Sequence, residues 1–322
     1  MKNETAAPLL ELKDVKTYFK VSGGILKAVN GVSLILHEGE TIGLVGESGC
    51  GKSTLGKTIL RLIRPAGGQV LFDGRDIWSF DRAERKAYTR QVQMIFQDPY
   101  ACLDPLSVIG DTVAEGMDIH RLNAGREERA REILRLLNDV GLNESHVSRF
   151  PHEFSGGQRQ RVGIARALSL KPRLIVCDEP ISALDVSIQA QVVNLLKRLQ
   201  REMRMAYVFI THDLSMVRQI SDRIAVMYLG SIVEIADSED IYLSNRHPYT
   251  RALLSAIPIA DPAVERTRER IVLSGDVPSP VNLPAGCAFA GRCPNACDRC
   301  RKEAPVLREI APGHLIACHR AD

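Results

Sequence analysis

Residues 46–54 read "GESGCGKST", which fits the pattern G-x-x-x-x-G-K-[S/T]. The residues just before it, "TIGLV" (41–45), form a continuous apolar run, and those just after it, "LGKTILRLI" (55–63), favour a helix. A buried strand that breaks into a glycine loop and reopens as a helix is the context this motif requires. The glycines let backbone N–H groups turn inward around a polyphosphate without Cβ clashes, and the helix N-terminus adds partial positive charge. On this chemistry Gly46, Glu47, Ser48, Gly49, Cys50, Gly51, Lys52, Ser53 and Thr54 form a nucleotide cradle. Lys52 is expected to bridge the β- and γ-phosphates, and Ser53 to ligate Mg²⁺.

Outward from the loop, strand and helix signals alternate, which argues for an α/β fold. "LLELKDVKTYFKV" and "AVNGVSLILHEGE" carry period-two patterns expected of antiparallel strands. From about Leu103 to Leu170 the pattern is mainly helical, and "REERAREILRLLNDVGL" is expected to end at Gly141. "RLIVCDEP" reads as a buried strand, "SIQAQVVNLLKRLQREM" as a helix, "AYVFITHD" as a strand, and "DRIAVMYLGSIVEIAD" as a terminal hairpin. Prolines at 258, 262, 278, 280, 284 and 294 mark a linker into a separate tail.

The formal net charge of +3 comes without a basic stripe, which argues against a dedicated nucleic-acid binder. No apolar run has the length of a membrane span, and "MKNETAAPLLELKD" lacks a signal-peptide core. The expectation is a cytosolic chain whose thiols stay reduced.

More polar residues stand at the ends of apolar runs. Asp178 in "LIVCDEP" is placed to reach a Mg²⁺ shell, and Glu179 follows it, able to polarise a water aimed at a γ-phosphate. Gln97 closes "MIFQ", and His212 closes "VFITH". Ser155, Gly156, Gly157 and Gln158 in "FSGGQRQR" open a helix and make a second anion-binding N-terminus. Each has a plain alternative by itself. An Asp-Glu pair often caps a helix, Gln97 suits a turn, Ser155 an ordinary N-cap, and His212 a core.

Their order is more specific than any one of them. GxxxxGKST, FQDP, FSGGQ, DEP, SALD and THD in succession resemble the ATP-binding subunit of an ABC transporter over roughly residues 8–258. The resemblance implies a P-loop NTPase fold of the ABC type: a parallel core sheet, an antiparallel β subdomain and an α-helical subdomain at about 103–170. That domain spans 1–258, with a small Cys-rich extension at 259–322. It further implies that two such domains close head to tail over two ATP molecules, the FSGGQ helix of one facing the triphosphate held by the other. Lys52, Ser53 and Asp178 then serve phosphate and Mg²⁺, and Glu179 is the catalytic base. His212 orients water and γ-phosphate, and Gln97 links Mg²⁺ to the helical subdomain. Tyr18, with Phe19 as the alternative, stacks on adenine, and Asp185 of "SALD" lies at the dimer interface.

The fragments "GETIGLVGESGCGKSTLGKTILRLI", "FQDPYACLDP" and "RHPYTRALLSAIP" are similar to the dipeptide/oligopeptide importer subfamily, which also serves nickel and glutathione. The resemblance implies one of two ATPase subunits, leaning towards the second of the pair. Its partners are the other ATPase, two permeases and an external binding protein, and its place is the cytoplasmic face of the membrane. Two rivals fit poorly. Soluble ABC ATPases of translation or repair carry two nucleotide domains or long coiled coils, and an inactive regulatory subunit need not keep Glu179 and His212.

Five of the eight cysteines fall in the last 36 residues. Cys287, Cys293, Cys300 and Cys318 are separated by 5, 6 and 17 residues and match the subfamily's tail positions; Cys297 is an addition. Four thiols in a reducing compartment point to a [4Fe–4S] cluster or tetrahedral Zn²⁺, and the subfamily favours the cluster. A tail this short needs such a centre to fold, so a structural staple is preferred to a redox sensor. The run Cys293-x3-Cys297-x2-Cys300 also matches the spacing of radical S-adenosylmethionine enzymes, but no barrel follows it. Cys50, inside the phosphate loop, is expected to be open to alkylation, and Cys177 to be a buried strand residue.

Overall fold

The computed structural model describes residues 7–258, 261, 266–267 and 270–321. Much of the proline-marked linker expected just after Pro258 lies outside the described residues. In chain order the strands are β1 (Leu10–Val21), β2 (Gly24–Leu36), β3 (Thr41–Val45), β4 (Gly67–Phe72), β5 (Arg75–Asp76) and β6 (Val92–Ile95). They continue as β7 (Leu174–Asp178), β8 (Ala206–Thr211), β9 (Arg223–Tyr228), β10 (Ser231–Asp237), β11 (Arg308–Ala311) and β12 (His314–Ile316). The helices are α1 (Lys52–Ile59), α2 (Arg82–Gln91), α3 (Ile109–His120), α4 (Arg126–Asp139) and α5 (Gly156–Leu168). After them come α6 (Val186–Met203), α7 (Leu214–Ile220), α8 (Ser238–Leu243), α9 (Pro248–Ser255) and α10 (Asp298–Lys302).

The chain forms two compact units. One comprises the residues up to His37, Thr41–Trp78 and the chain from Thr211 onward; the other comprises Glu38–Glu40 and Ser79–Ile210.

In the first unit β1 and β2 form the expected antiparallel pair, within a sheet of order β2-β1-β4-β5. The alternation in β1 is broken at Lys13 and Asp14, both exposed, where the register slips and Asp14 takes a φ of 49°. A bulge turns the strand there so that Val15 and Thr17 return to the core. A second sheet runs β11-β12-β10-β9-β3, with β3 parallel to β9 and every residue of β3 buried. Burial on both faces is why "TIGLV" reads as an unbroken apolar run.

The hairpin expected to end this sheet does not end it. β9 and β10 pair antiparallel, but β12 from the tail pairs with the other edge of β10, Glu234 opposite Ile316. An edge of unpaired backbone groups is thereby covered. Glu234 is fully buried and accepts from the backbone N–H of Arg246 at 2.7 Å and of His247 at 3.2 Å, while His314 Nε2 lies 2.9 Å from it. A buried carboxylate is tolerated when its oxygens are satisfied in this way. Residues beyond 258 thus contribute strands to the same compact unit as the phosphate loop.

In the second unit β8, β7 and β6 lie side by side in parallel. The expected helical stretch appears as α3, α4 and α5, joined by buried Ile109, Val113, Leu136, Leu137, Val162 and Ala165. The α4 segment stops at Asp139, and Gly141 takes the left-handed φ of 78° that closes a helix end.

Candidate functional site

The phosphate loop leaves β3 at Gly46 and enters α1 at Lys52. Gly51 caps α1 in the left-handed conformation, φ 106°, where its hydrogen stands against backbone. A Cβ there would lie 1.9 Å from the carbonyl oxygen of Ala28. The Lys52 ammonium is buried and donates to the carbonyls of Gly46 at 2.7 Å and Glu47 at 2.9 Å, with Cys50 Sγ at 3.7 Å. It is therefore aimed along the inside of its own loop. Ser53 and Thr54 fall in the first turn of α1, and Ser48 and Gly49 form the exposed rim.

Two loop residues depart from expectation. Cys50 is only 5 % exposed, and burial pushes its thiol pKa up, which makes it a poor target for alkylation. Glu47 has no N–H or carboxylate left for a phosphate. Its N–H donates to Tyr249 Oη at 3.0 Å, and its carboxylate takes both ends of the Arg292 guanidinium at 3.0–3.2 Å.

Tyr18 and Phe19 stand half-buried on β1. The Tyr18 hydroxyl donates to Asn30 Oδ1 at 2.8 Å, and Lys27 Nζ lies 5.9 Å from its ring centre, so the ring is held by its β2 neighbours. His212 is exposed at the end of β8, and Asp213 beside it caps α7 through Ser215 N at 2.8 Å.

In the second unit β7 delivers Asp178, 5 % exposed, at its last position. Glu179 follows with φ 45°, unusual for a residue with a side chain, and its N–H donates to Ile210 O at 2.9 Å. Such conformations cost about 1–3 kcal/mol and concentrate at functional sites. Gln97 Nε2 donates to Glu179 Oε2 at 2.9 Å, so two residues 82 positions apart share one site. The segment after Gln97 is gripped by α5. Arg159 stacks on Tyr100 with 3.7 Å from Cζ to the ring centre, and Arg166 Nη1 donates to Cys102 O at 2.8 Å.

Ser155 caps α5 as its sequence predicts. Its Oγ accepts from Gln158 N at 3.3 Å, and Gln158 Oε1 accepts from Ser155 N at 3.0 Å. Ser155 is exposed and Gly156 and Gly157 are half-exposed, so this helix N-terminus opens outward. Asp185 is exposed at the start of α6, where its side chain makes no capping bond.

The tail thiols converge. Cys287, Cys293, Cys300 and Cys318 line one small cavity with His247 and Phe289. Cys297 does not line it, although its Sγ lies 3.5 Å from that of Cys300. Burial raises the thiol pKa of Cys287, Cys293 and Cys300, while hydrogen bonding from the backbone of Cys300 lowers that of Cys297. His247 is pushed down to about 4 by burial and stays neutral, its Nδ1 accepting from Tyr249 N at 3.1 Å. Among the described residues, no three His, Cys, Asp or Glu side chains form a group that could hold a single metal ion.

Comparison with known proteins agrees with this layout. Residues 29–182 match the ABC transporter family model, and residues 233–300 match that of the oligopeptide/dipeptide transporter C-terminal region. The chain is 51% identical to the oligopeptide transport ATP-binding protein AppF of Bacillus subtilis, covering 97% of each chain. It is 48% identical to the oligopeptide transport ATP-binding protein OppF of Escherichia coli, covering 98% of this chain and 96% of that one. A solved dimer of the ATP-binding cassette MJ0796, in a post-hydrolysis state with ADP and Pi, matches with a TM-score of 0.65 and 32% identity. That match covers 71% of this chain and 98% of the other. With a phosphate loop, a buried Asp178 at a strand end, an outward FSGGQ helix and relatives matched from end to end, the chain belongs to the ATP-binding subunits of the oligopeptide/dipeptide ABC transporter family.

Proposed function

We propose that this ATPase powers uptake of di- and oligopeptides, as one of two ATPase subunits working with two permeases and an external binding protein at the cytoplasmic face of the membrane. The observation that carries the reading is that the likeness to oligopeptide transport proteins runs through the tail as well as the cassette. No described helix is long and apolar enough to cross a membrane, so the span belongs to partner chains in this reading.

In the working cycle, Lys52 and the loop N–H groups hold the triphosphate, and Tyr18 stacks on adenine. Ser53 and Asp178 would hold Mg²⁺, which would supply charge neutralisation to the triphosphate. Glu179 accepts a proton from the attacking water, and His212 orients that water against the γ-phosphate. Gln97, bonded to Glu179 and carried by the segment that α5 grips, reports the state of the site to the helical region. Ser155 to Gln158 reach the triphosphate of a neighbouring cassette, with Asp185 at the same interface, as the dimeric form of the MJ0796 cassette supports. Closing on ATP and opening after hydrolysis moves the permeases.

The test is ATP hydrolysis by the reconstituted complex in lipid vesicles. Hydrolysis should rise when the binding protein is loaded with di- or oligopeptide. Stimulation by nickel or glutathione with no response to peptides would overturn the cargo.

We also read Cys287, Cys293, Cys300 and Cys318 as ligands of a [4Fe–4S] cluster that staples the 259–322 extension. Four thiols line one cavity, the number of ligands that such a cluster needs. Protein purified without oxygen should be brown and carry about four iron and four sulfide per chain. Colourless protein with one zinc per chain would overturn the assignment.

A further inference from the structure

Arg292 lies between Cys287 and Cys293, yet it reaches into the phosphate loop 245 positions earlier. Its guanidinium meets both carboxylate oxygens of Glu47, Nη1 at 3.2 and 3.0 Å and Nη2 at 3.2 Å. The pair is sheltered, the Arg292 side chain being 10% exposed and that of Glu47 27%. The Tyr228 hydroxyl accepts from Arg292 Nη1 at 3.5 Å, completing the grip.

The base on which Arg292 stands is packed with aromatic rings. Phe289, three residues earlier, is buried against Tyr228 and Tyr249, with ring centres 5.3 and 5.4 Å apart. Tyr249 in turn accepts from the backbone N–H of Glu47. Glu47 is therefore held twice, by its carboxylate from the tail and by its N–H from α9. Its carbonyl, left over, accepts from the Lys52 ammonium at 2.9 Å. The chain of contacts runs Arg292, Glu47 carboxylate, Glu47 carbonyl, Lys52. A bidentate arginine–carboxylate pair fixes orientation as well as distance.

We infer that Arg292 is a positioning residue for ATP: from the Cys-rich tail it locks Glu47, and through Glu47 it sets the phosphate loop in the shape that receives the triphosphate. The tail then acts on the affinity for nucleotide and not on the chemical step. This rests on the reading of residues 46–54 as the ATP-phosphate loop.

The test compares the full chain with Arg292→Ala, Arg292→Lys, Glu47→Gln and the Arg292→Ala/Glu47→Gln double variant. Equilibrium binding of ATP is measured on each, and KM and kcat for ATP are measured in the reconstituted complex. Arg292→Ala and Glu47→Gln should each weaken ATP binding about tenfold or more, with KM rising and kcat at saturating ATP close to wild type. The double variant should be no worse than the poorer single one, because both remove the same link. Arg292→Lys, which keeps charge but loses the fork, should recover only part of the affinity.

Glu47→Gln keeps the size of the side chain and leaves the aromatic packing of the tail untouched, so it carries the test even if Arg292→Ala misfolds. Wild-type affinity in Glu47→Gln, or losses that add in the double variant, would overturn the inference. So would a fall in kcat with KM unchanged. Failure of the wild-type chain itself to bind ATP would instead overturn the phosphate-loop reading, and this inference with it.

Discussion

Glu179→Gln should bind ATP as the wild type does and hydrolyse it about 10²–10⁴-fold more slowly, the range that loss of a general base commonly produces. The substitution is nearly isosteric. Gln97 Nε2 donates to Glu179 Oε2 at 2.9 Å, and an amide oxygen at the same place still accepts that bond. At the backbone, Glu179 has φ 45° and its N–H donates to Ile210 O at 2.9 Å, a bond that the substitution leaves in place. Basicity is what changes. Single-turnover hydrolysis with the assembled complex, alongside ATP binding, separates the two effects. Turnover near the wild-type rate would remove Glu179 from the role of base.

Gly51→Ala is the second large effect, and it acts through shape. The added methyl would stand 1.9 Å from Ala28 O and 3.0 Å from Met227 Cε. A flexible side chain can yield; a carbonyl inside β2 cannot. The φ of 106° adds strain for any residue with a Cβ. Overpacking costs about 1–3 kcal/mol and an unfavourable backbone region a further 1–3 or so, so destabilisation of about 3 kcal/mol or more is expected. The loop must also move away from β2, which should abolish measurable ATP binding. Gly49→Ala offers the contrast. Gly49 also has positive φ, 78°, but a Cβ there meets nothing within 4 Å, so only the backbone strain remains. Thermal denaturation should therefore rank Gly51→Ala well below Gly49→Ala. Equal melting temperatures for the two would show that the Ala28 carbonyl yields.

The features that survived from sequence to structure are those whose geometry is local. The strand–loop–helix at 41–59 is legible from neighbouring residues: an apolar run, glycines at fixed spacing, and helix formers after Lys52. Ser155 and Gln158 close their capping box within four positions. The hairpin of β1 and β2 follows from alternation, although the alternation gave no sign of the bulge at Asp14. From its place Gln97 is only a polar residue closing an apolar strand, and its sensing role is what the family resemblance implies. That it bonds Glu179 in particular required β6 to lie beside β7.

Where the reading fell short, the cause lay in contacts across the chain. "DRIAVMYLGSIVEIAD" announces a hairpin but not that β12, about 80 residues later, covers its open edge. Cys50 in a glycine loop looks accessible until burial is known. Glu47 sits inside a phosphate motif, and nothing in "GESGCGKST" says that its N–H and carboxylate face Tyr249 and Arg292 instead of a nucleotide.

By itself the sequence determined that this protein holds a triphosphate, because backbone donors and a lysine at fixed spacing form a cradle between one strand and one helix. Only the tertiary structure decided that the Cys-rich tail is built into the same sheet as that loop and grips it through one arginine. Side chains more than 200 residues apart meet only when strands have found their order, and the order is set by burial of whole faces, which no local spacing encodes.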